Sequence, residues 1–135
     1  MIGEGERAPR FELPAVVDGA IEQVSLEGQL AGNVVVLAFY PGDFNPACGD
    51  GTTGLDDLTL VSVPRNVVVL GISGDSAYSH RAFADQYNLT IPLLSDVTGT
   101  VAAEYGVAAE SERPTHAAKR SIVVVEPSGE VQYAW

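Results

Sequence analysis

Val34-Val35-Val36-Leu37-Ala38-Phe39-Tyr40 runs directly into Pro41-Gly42-Asp43-Phe44-Asn45-Pro46-Ala47-Cys48. The first seven residues are apolar without a break and rich in β-branched and aromatic side chains, the pattern of a strand buried on both faces. Proline then ends the strand, and a turn carries the chain to the thiol. Cys48 is the only cysteine of the 135 residues, so it has no partner for an internal disulfide. It is either an inert buried thiol or a nucleophile that relies on other molecules to complete its chemistry.

Working outward, Val67-Val68-Val69-Leu70-Gly71-Ile72-Ser73 repeats the buried-strand pattern. Between the two runs, Leu55, Leu58 and Val61 recur at threes and predict a helix that Pro64 ends. After the second run, Asp75 and Ser76 can cap a helix bearing Phe83 and Tyr87 on one face, with Asn88 as its terminator. Leu93-Leu94-Ser95 is a short strand leading to Asp96. Val97, Val101 and Tyr105 then share a helical face closed by Gly106.

Ser121 to Glu126 and Val131 to Trp135 flank Pro127-Ser128-Gly129 and read as a hairpin. At the other end, Ala8 to Pro14 is extended because its prolines resist helix, and Asp18-Gly19 turns the chain into a strand over Ile21 to Leu26. Helices alternating with buried strands predict an α/β domain with parallel crossovers, and the hairpin makes its sheet mixed. One domain spans 1–135. The chain stops at Trp135 directly after a strand, where such a sheet calls for a covering helix. Either a partner subunit covers it or the sequence is shorter than the natural domain, and the expectation leans to a truncated sequence that lacks a C-terminal helix.

The composition is globular: 46% hydrophobic and 19% charged. A net charge of -11, with Lys119 the single lysine, repels phosphate backbones and anionic lipid, which argues against nucleic-acid and membrane partners. The acidic excess has two open readings: simple solubility, or adaptation to a salt-rich cytoplasm. The first residues show no basic region followed by an apolar one, and no apolar run approaches a membrane span, so the cytoplasm is the expected location.

The ordered segments resemble a peroxiredoxin, a thiol peroxidase of the alkyl hydroperoxide reductase/thiol-specific antioxidant family, over nearly the whole chain. Ala8-Pro9-Arg10-Phe11-Glu12-Leu13 is similar to the family's Ala-Pro-x-Phe-x-Leu, and Phe39-Tyr40-Pro41-Gly42-Asp43-Phe44 to its Phe-Tyr-Pro-x-Asp-Phe. Gly71 to Ser76 with Ser79-His80 and Phe83 resembles the second strand and helix, as does Ile91 to Asp96 with Tyr105-Gly106-Val107. The resemblance implies a thioredoxin-like fold and a one-cysteine enzyme. Cys48 would attack the peroxide, Arg120 would stand as the active-site arginine, and Pro41 and Asn45 would shape the pocket. It implies no metal or other cofactor, an outside reductant such as a thioredoxin-like protein or a small thiol, and a homodimer.

The chemistry asks for these residue types. A thiol titrating near its ordinary value of about 8.5 is mostly protonated at neutral pH, so a positive field must hold the reactive thiolate. A helix start supplies part of that field through free N–H groups, and Arg120 a permanent cation. Pro41 would shield the sulfur from water, and backbone N–H groups near Ala47 and Cys48 could polarise the peroxide. Two positions depart from the family pattern. Asn45 stands where the motif has Thr or Ser, and its amide donates and accepts through different atoms. Gly51 replaces an acidic or amide residue beside Asp50, while Gly49, Gly51 and Gly54 weaken the helix start and would let the thiol open cheaply to an outside reductant.

Two further readings use the same residues. One is a non-catalytic thioredoxin-fold binding module with Cys48 as packing. The other is a peroxide sensor that passes its oxidation to a partner. His80, beside Arg81, reads as solvent-facing or as a local cap, and His116 as part of a solvated loop. Asp56-Asp57 reads as a helix surface; one cysteine and two scattered histidines offer no zinc-type spacing. Tyr40 and Phe44 read as pocket wall and core.

Overall fold

The computed structural model describes residues 1–44, 65–109 and 118–135. Along them lie β1 (Glu12–Val17), β2 (Ala20–Ser25), α1 (Leu26–Gln29), β3 (Val34–Phe39), β4 (Val67–Ser73), α2 (Ala77–Tyr87), β5 (Leu93–Ser95), α3 (Thr100–Glu104), β6 (Ser121–Val125) and β7 (Val131–Ala134). The strands form one sheet in the order β2-β1-β5-β4-β3-β6-β7. β3 and β4 run parallel from Val34↔Val67 to Phe39↔Ile72, and β4 and β5 are parallel from Gly71↔Leu93. β1 joins β5, and β6 joins β3, antiparallel. The mixed sheet is the one expected, and its central strands are those with unbroken apolar sequence.

Strand alternation sorts the core onto two faces. Val35, Leu37 and Phe39 pack with Leu70, Ile72, Val101, Tyr105 and Phe11. Ala38 and Tyr40 point the other way, to Phe83, Leu89 and Leu93. Helix α2 covers this second face, and its ends follow local chemistry. The Ser76 hydroxyl accepts the Ser79 N–H at 3.2 Å, and Asn88 closes the helix at φ 53°, a left-handed conformation that Asn tolerates. Asp75 is not the cap; its carboxylate faces the turn after β3.

Two expectations are corrected. The second strand ends at Ser25, whose hydroxyl accepts the Gly28 N–H at 3.0 Å and starts α1, so Leu26 is a helical core residue. Val97 shares no helical face with Val101: α3 begins at Thr100 after Gly99 at φ 72°, and Val97 is exposed. Buried Asp96 explains the shift, because its carboxylate accepts the N–H groups of Val101 (3.2 Å) and Ala102 (2.9 Å). The helix expected over Leu55 to Val61, with its stop at Pro64, lies outside the described residues.

Candidate active site

The site grows from the end of β3. Tyr40 keeps the sheet pattern for one more residue, donating its N–H to the Ile72 carbonyl at 3.1 Å. Pro41 has no N–H to continue the ladder, and the chain turns through Gly42 and Asp43. The Asp43 N–H donates to Asp75 Oδ2 at 2.8 Å. Phe44 follows at φ 58°, about 40% exposed, with its ring 4.9 Å from that of Phe83. Tyr40 is therefore core as expected, whereas Phe44 is a partly exposed flap over α2.

Beneath this turn lies a polar network that the sequence reading missed. Tyr40 donates its hydroxyl to Asp43 Oδ1 at 2.7 Å, and Ser79 donates to Asp43 Oδ2 at 2.8 Å. His80 Nδ1 stands 2.8 Å from the same Oδ2, and both side chains of this pair are fully buried. His80 Nε2 donates to the Leu94 carbonyl at 2.9 Å. Asp75 takes the Ser73 hydroxyl at 2.6 Å, and Ser95 donates to the Asp75 carbonyl. The expectation that His80 faces solvent is overturned: it shares the inward face of α2 with Phe83. The spacing of His80, Phe83 and Tyr87 along the helix was the available signal.

Asp43, Asp75 and His80 bring potential ligand atoms within 4.8 Å of one another. Both imidazole nitrogens are already engaged, so the arrangement is a hydrogen-bonded pair rather than a metal cage. Burial, then the neighbouring Asp43 charge, pushes the Tyr40 phenol well above its ordinary value; burial does the same for Tyr105. Both therefore remain donors where exposed tyrosines ionise. A phenol shifted up in the folded protein adds stability below the unfolded value of 10.0 that is lost as pH rises beyond it. We expect Tyr40→Phe to leave the phenolate absorbance titration of the folded protein unchanged. A drop in its amplitude while the protein is still folded would refute the shift.

Arg120 precedes Ser121, which pairs with Phe39 across β6 and β3. That register sets Arg120 at the same end of the sheet as Tyr40 and Pro41. Its approach is tied down, since Lys119 donates its N–H to the Val107 carbonyl at 2.7 Å and the Ser121 hydroxyl bonds the Lys119 carbonyl at 3.0 Å. The Arg120 side chain is exposed. Cys48 and Asn45 lie outside the described residues, as do Asp50, Gly51, Asp56-Asp57 and His116. A groove of about 740 Å³ between α2 and the β1–β2 turn, lined by Tyr78, Arg81 and Asp18 among others, contains neither Pro41 nor Arg120.

Residues 4–134 match the profile of the AhpC/TSA family. A Coxiella burnetii protein named as a peroxiredoxin, bcp, is 37% identical over 97% of the chain, which spans 86% of that protein. The chain belongs to the AhpC/TSA family of peroxiredoxins. Bovine peroxiredoxin-2 is also 37% identical over 93% of the chain, which spans 64% of its length. Among solved structures, peroxidoxin BcpB of Mycobacterium tuberculosis superposes with a TM-score of 0.87 at 28% identity, covering 100% of this chain and 86% of that one. Reduced 2-Cys peroxiredoxin of Plasmodium vivax gives 0.83 at 29%, covering 100% and 72%. The thioredoxin-like fold of these peroxiredoxins is the fold of this chain. Thiol-dependent peroxide reduction is the chemistry of the family, and the peroxidase reading holds over that of a non-catalytic binding module.

Proposed function

We propose that the chain reduces hydrogen peroxide or organic hydroperoxides through Cys48, with Arg120, Pro41 and Asn45 as the other site residues. The observation that carries this reading is the Phe39↔Ser121 register. It gathers Arg120 and Pro41 at the strand end from which the chain leaves for Asn45 and Cys48. The Cys48 thiolate attacks one peroxide oxygen, the O–O bond breaks, and the leaving oxygen departs as water or alcohol once protonated. Arg120 holds the thiolate and the charge developing on oxygen. Pro41 screens the sulfur, and the Asn45 amide offers a donor to the peroxide.

The resulting sulfenic acid carries no partner thiol in this sequence, since Cys48 is its one cysteine. An outside thiol, from a thioredoxin-like protein or a small thiol, forms a mixed disulfide and releases water. A second thiol then frees Cys48 as the thiol and leaves as the disulfide. A reducing cytoplasm and a homodimer belong to this reading.

The test adds one equivalent of hydrogen peroxide to reduced protein, traps sulfenic acid with a dimedone-type reagent, and weighs the product beside Cys48→Ser. An adduct on Cys48, formed much faster than on a free thiol, is expected. No adduct, or a rate no better than a free thiol, rejects the assignment. Turnover with added reductant separates the peroxidase from a sensor, which would be oxidised once and stop.

A further inference from the structure

His80 has no part in the scheme above, yet its imidazole is completely buried and both ring nitrogens face acceptors. Nε2 lies 2.9 Å from the Leu94 carbonyl oxygen, which has no hydrogen to give, so Nε2 carries one. Nδ1 lies 2.8 Å from Asp43 Oδ2, an oxygen that already receives the Ser79 hydroxyl. Tyr40 cannot fill the gap. Its hydroxyl is 3.3 Å from Nδ1 and gives its proton to Asp43 Oδ1 at 2.7 Å. Nδ1 and Oδ2 attract only with a proton between them, whether it is assigned to the ring or to the carboxyl. Asp75, the other carboxylate here, is occupied by the Ser73 hydroxyl and the Asp43 N–H.

The consequence falls on the turn. Asp43 is tied at its side chain to α2, through Ser79 and His80, and at its N–H to Asp75 beyond β4. His80 is fixed in turn to β5 through Leu94. Pro41 and Gly42 lie between Tyr40 and Asp43, which bond each other directly. The turn that precedes Asn45 and Cys48 is thus closed by its own Tyr–Asp bond and clamped from three elements of the sheet-and-helix frame.

We propose that His80 is a positioning residue for peroxide reduction. Through the proton it shares with Asp43, it fixes the Pro41-to-Phe44 turn and so the direction in which the chain approaches Cys48. The proposal rests on Cys48 being the reacting thiol. Without the shared proton, Asp43 keeps two hydroxyl donors, so the turn loosens rather than collapses. Misplacement on the ångström scale costs a reaction up to about a hundredfold.

Two near-isosteric variants separate positioning from mere structural support. In His80→Asn the amide nitrogen falls near Nδ1 and keeps the bond to Asp43 while losing Leu94. In His80→Gln it falls near Nε2 and keeps Leu94 while losing Asp43. Cys48 oxidation by hydrogen peroxide is followed by stopped-flow, with the urea midpoint of each variant confirming that both are folded in the assay. His80→Gln should react at least about tenfold slower than wild type, and His80→Asn within about threefold of it. Equal rates for the two variants, or a Gln variant as fast as wild type, overturn the proposal. A wild-type protein that forms no sulfenic acid rejects the Cys48 assignment instead, so the two failures are distinct.

Discussion

Arg120→Ala is expected to slow oxidation of Cys48 at neutral pH by about 10²–10³-fold, the range seen when one aimed electrostatic donor is removed from an active site. Two effects add. Without a nearby cation the thiol titrates closer to its free value of about 8.5, leaving only a few per cent as thiolate at pH 7. The guanidinium also meets the negative charge that builds on the leaving oxygen, and that stabilisation disappears with it. These parts respond differently to pH. Raising the pH restores ionisation, so the variant's rate should climb through the region where a free thiol titrates. It should level off below the wild-type plateau by the charge-stabilisation share. Arg120→Lys keeps a cation but not the fork, so it should recover ionisation more fully than rate. Stopped-flow rates from pH 5 to 9 check both statements, and an unchanged profile in Arg120→Ala removes Arg120 from the mechanism. The chain's net charge of -11 sharpens the expectation, because an exposed cation on so acidic a protein is not readily replaced by its neighbours.

What sequence could show of this molecule follows the range of the forces involved. β3 and β4 are legible because a strand buried on both faces needs apolar side chains at every position, and six valines in 34–36 and 67–69 supply them. Ser76 and Asn88 are legible because caps act within a turn of their own helix. Asp43 is different. It is 32 residues from Asp75 and 37 from His80, and nothing local distinguishes a carboxylate that will meet a buried imidazole from one that will meet water. Asp96 shows the same limit at shorter range, where a buried carboxylate serving Val101 and Ala102 moved the helix start away from Val97. Within the candidate site, the placement of Arg120 could be anticipated from family-like order. The clamp under Pro41 could not, because it depends on which face of α2 turns inward.

Asp43→Ala should lower the unfolding free energy by about 3–5 kcal/mol, the range for removing one partner of a buried, proton-sharing carboxyl–imidazole pair. That is a large part of the about 5–15 kcal/mol available to an ordinary domain. The reason is not the strength of one bond. Asp43 is the common acceptor for Tyr40, Ser79 and His80, and Tyr40 and His80 are buried where water cannot replace it. Truncation leaves several donors facing an empty space, each carrying its own desolvation penalty. Asp43→Asn supplies the contrast. Its carbonyl still accepts from a hydroxyl, and its new amide N–H can donate to His80 Nδ1 while Nε2 keeps its bond to Leu94. The cost should then fall to about 1–2 kcal/mol. Urea denaturation at pH 7 reads both, with a lower midpoint and an unchanged m-value if only the folded state is affected. If Asp43→Ala costs no more than Asp43→Asn, the Asp43 side chain is not what holds the turn, and the hydroxyls of Tyr40 and Ser79 must find other acceptors among the groups around Ser73 and Asp75.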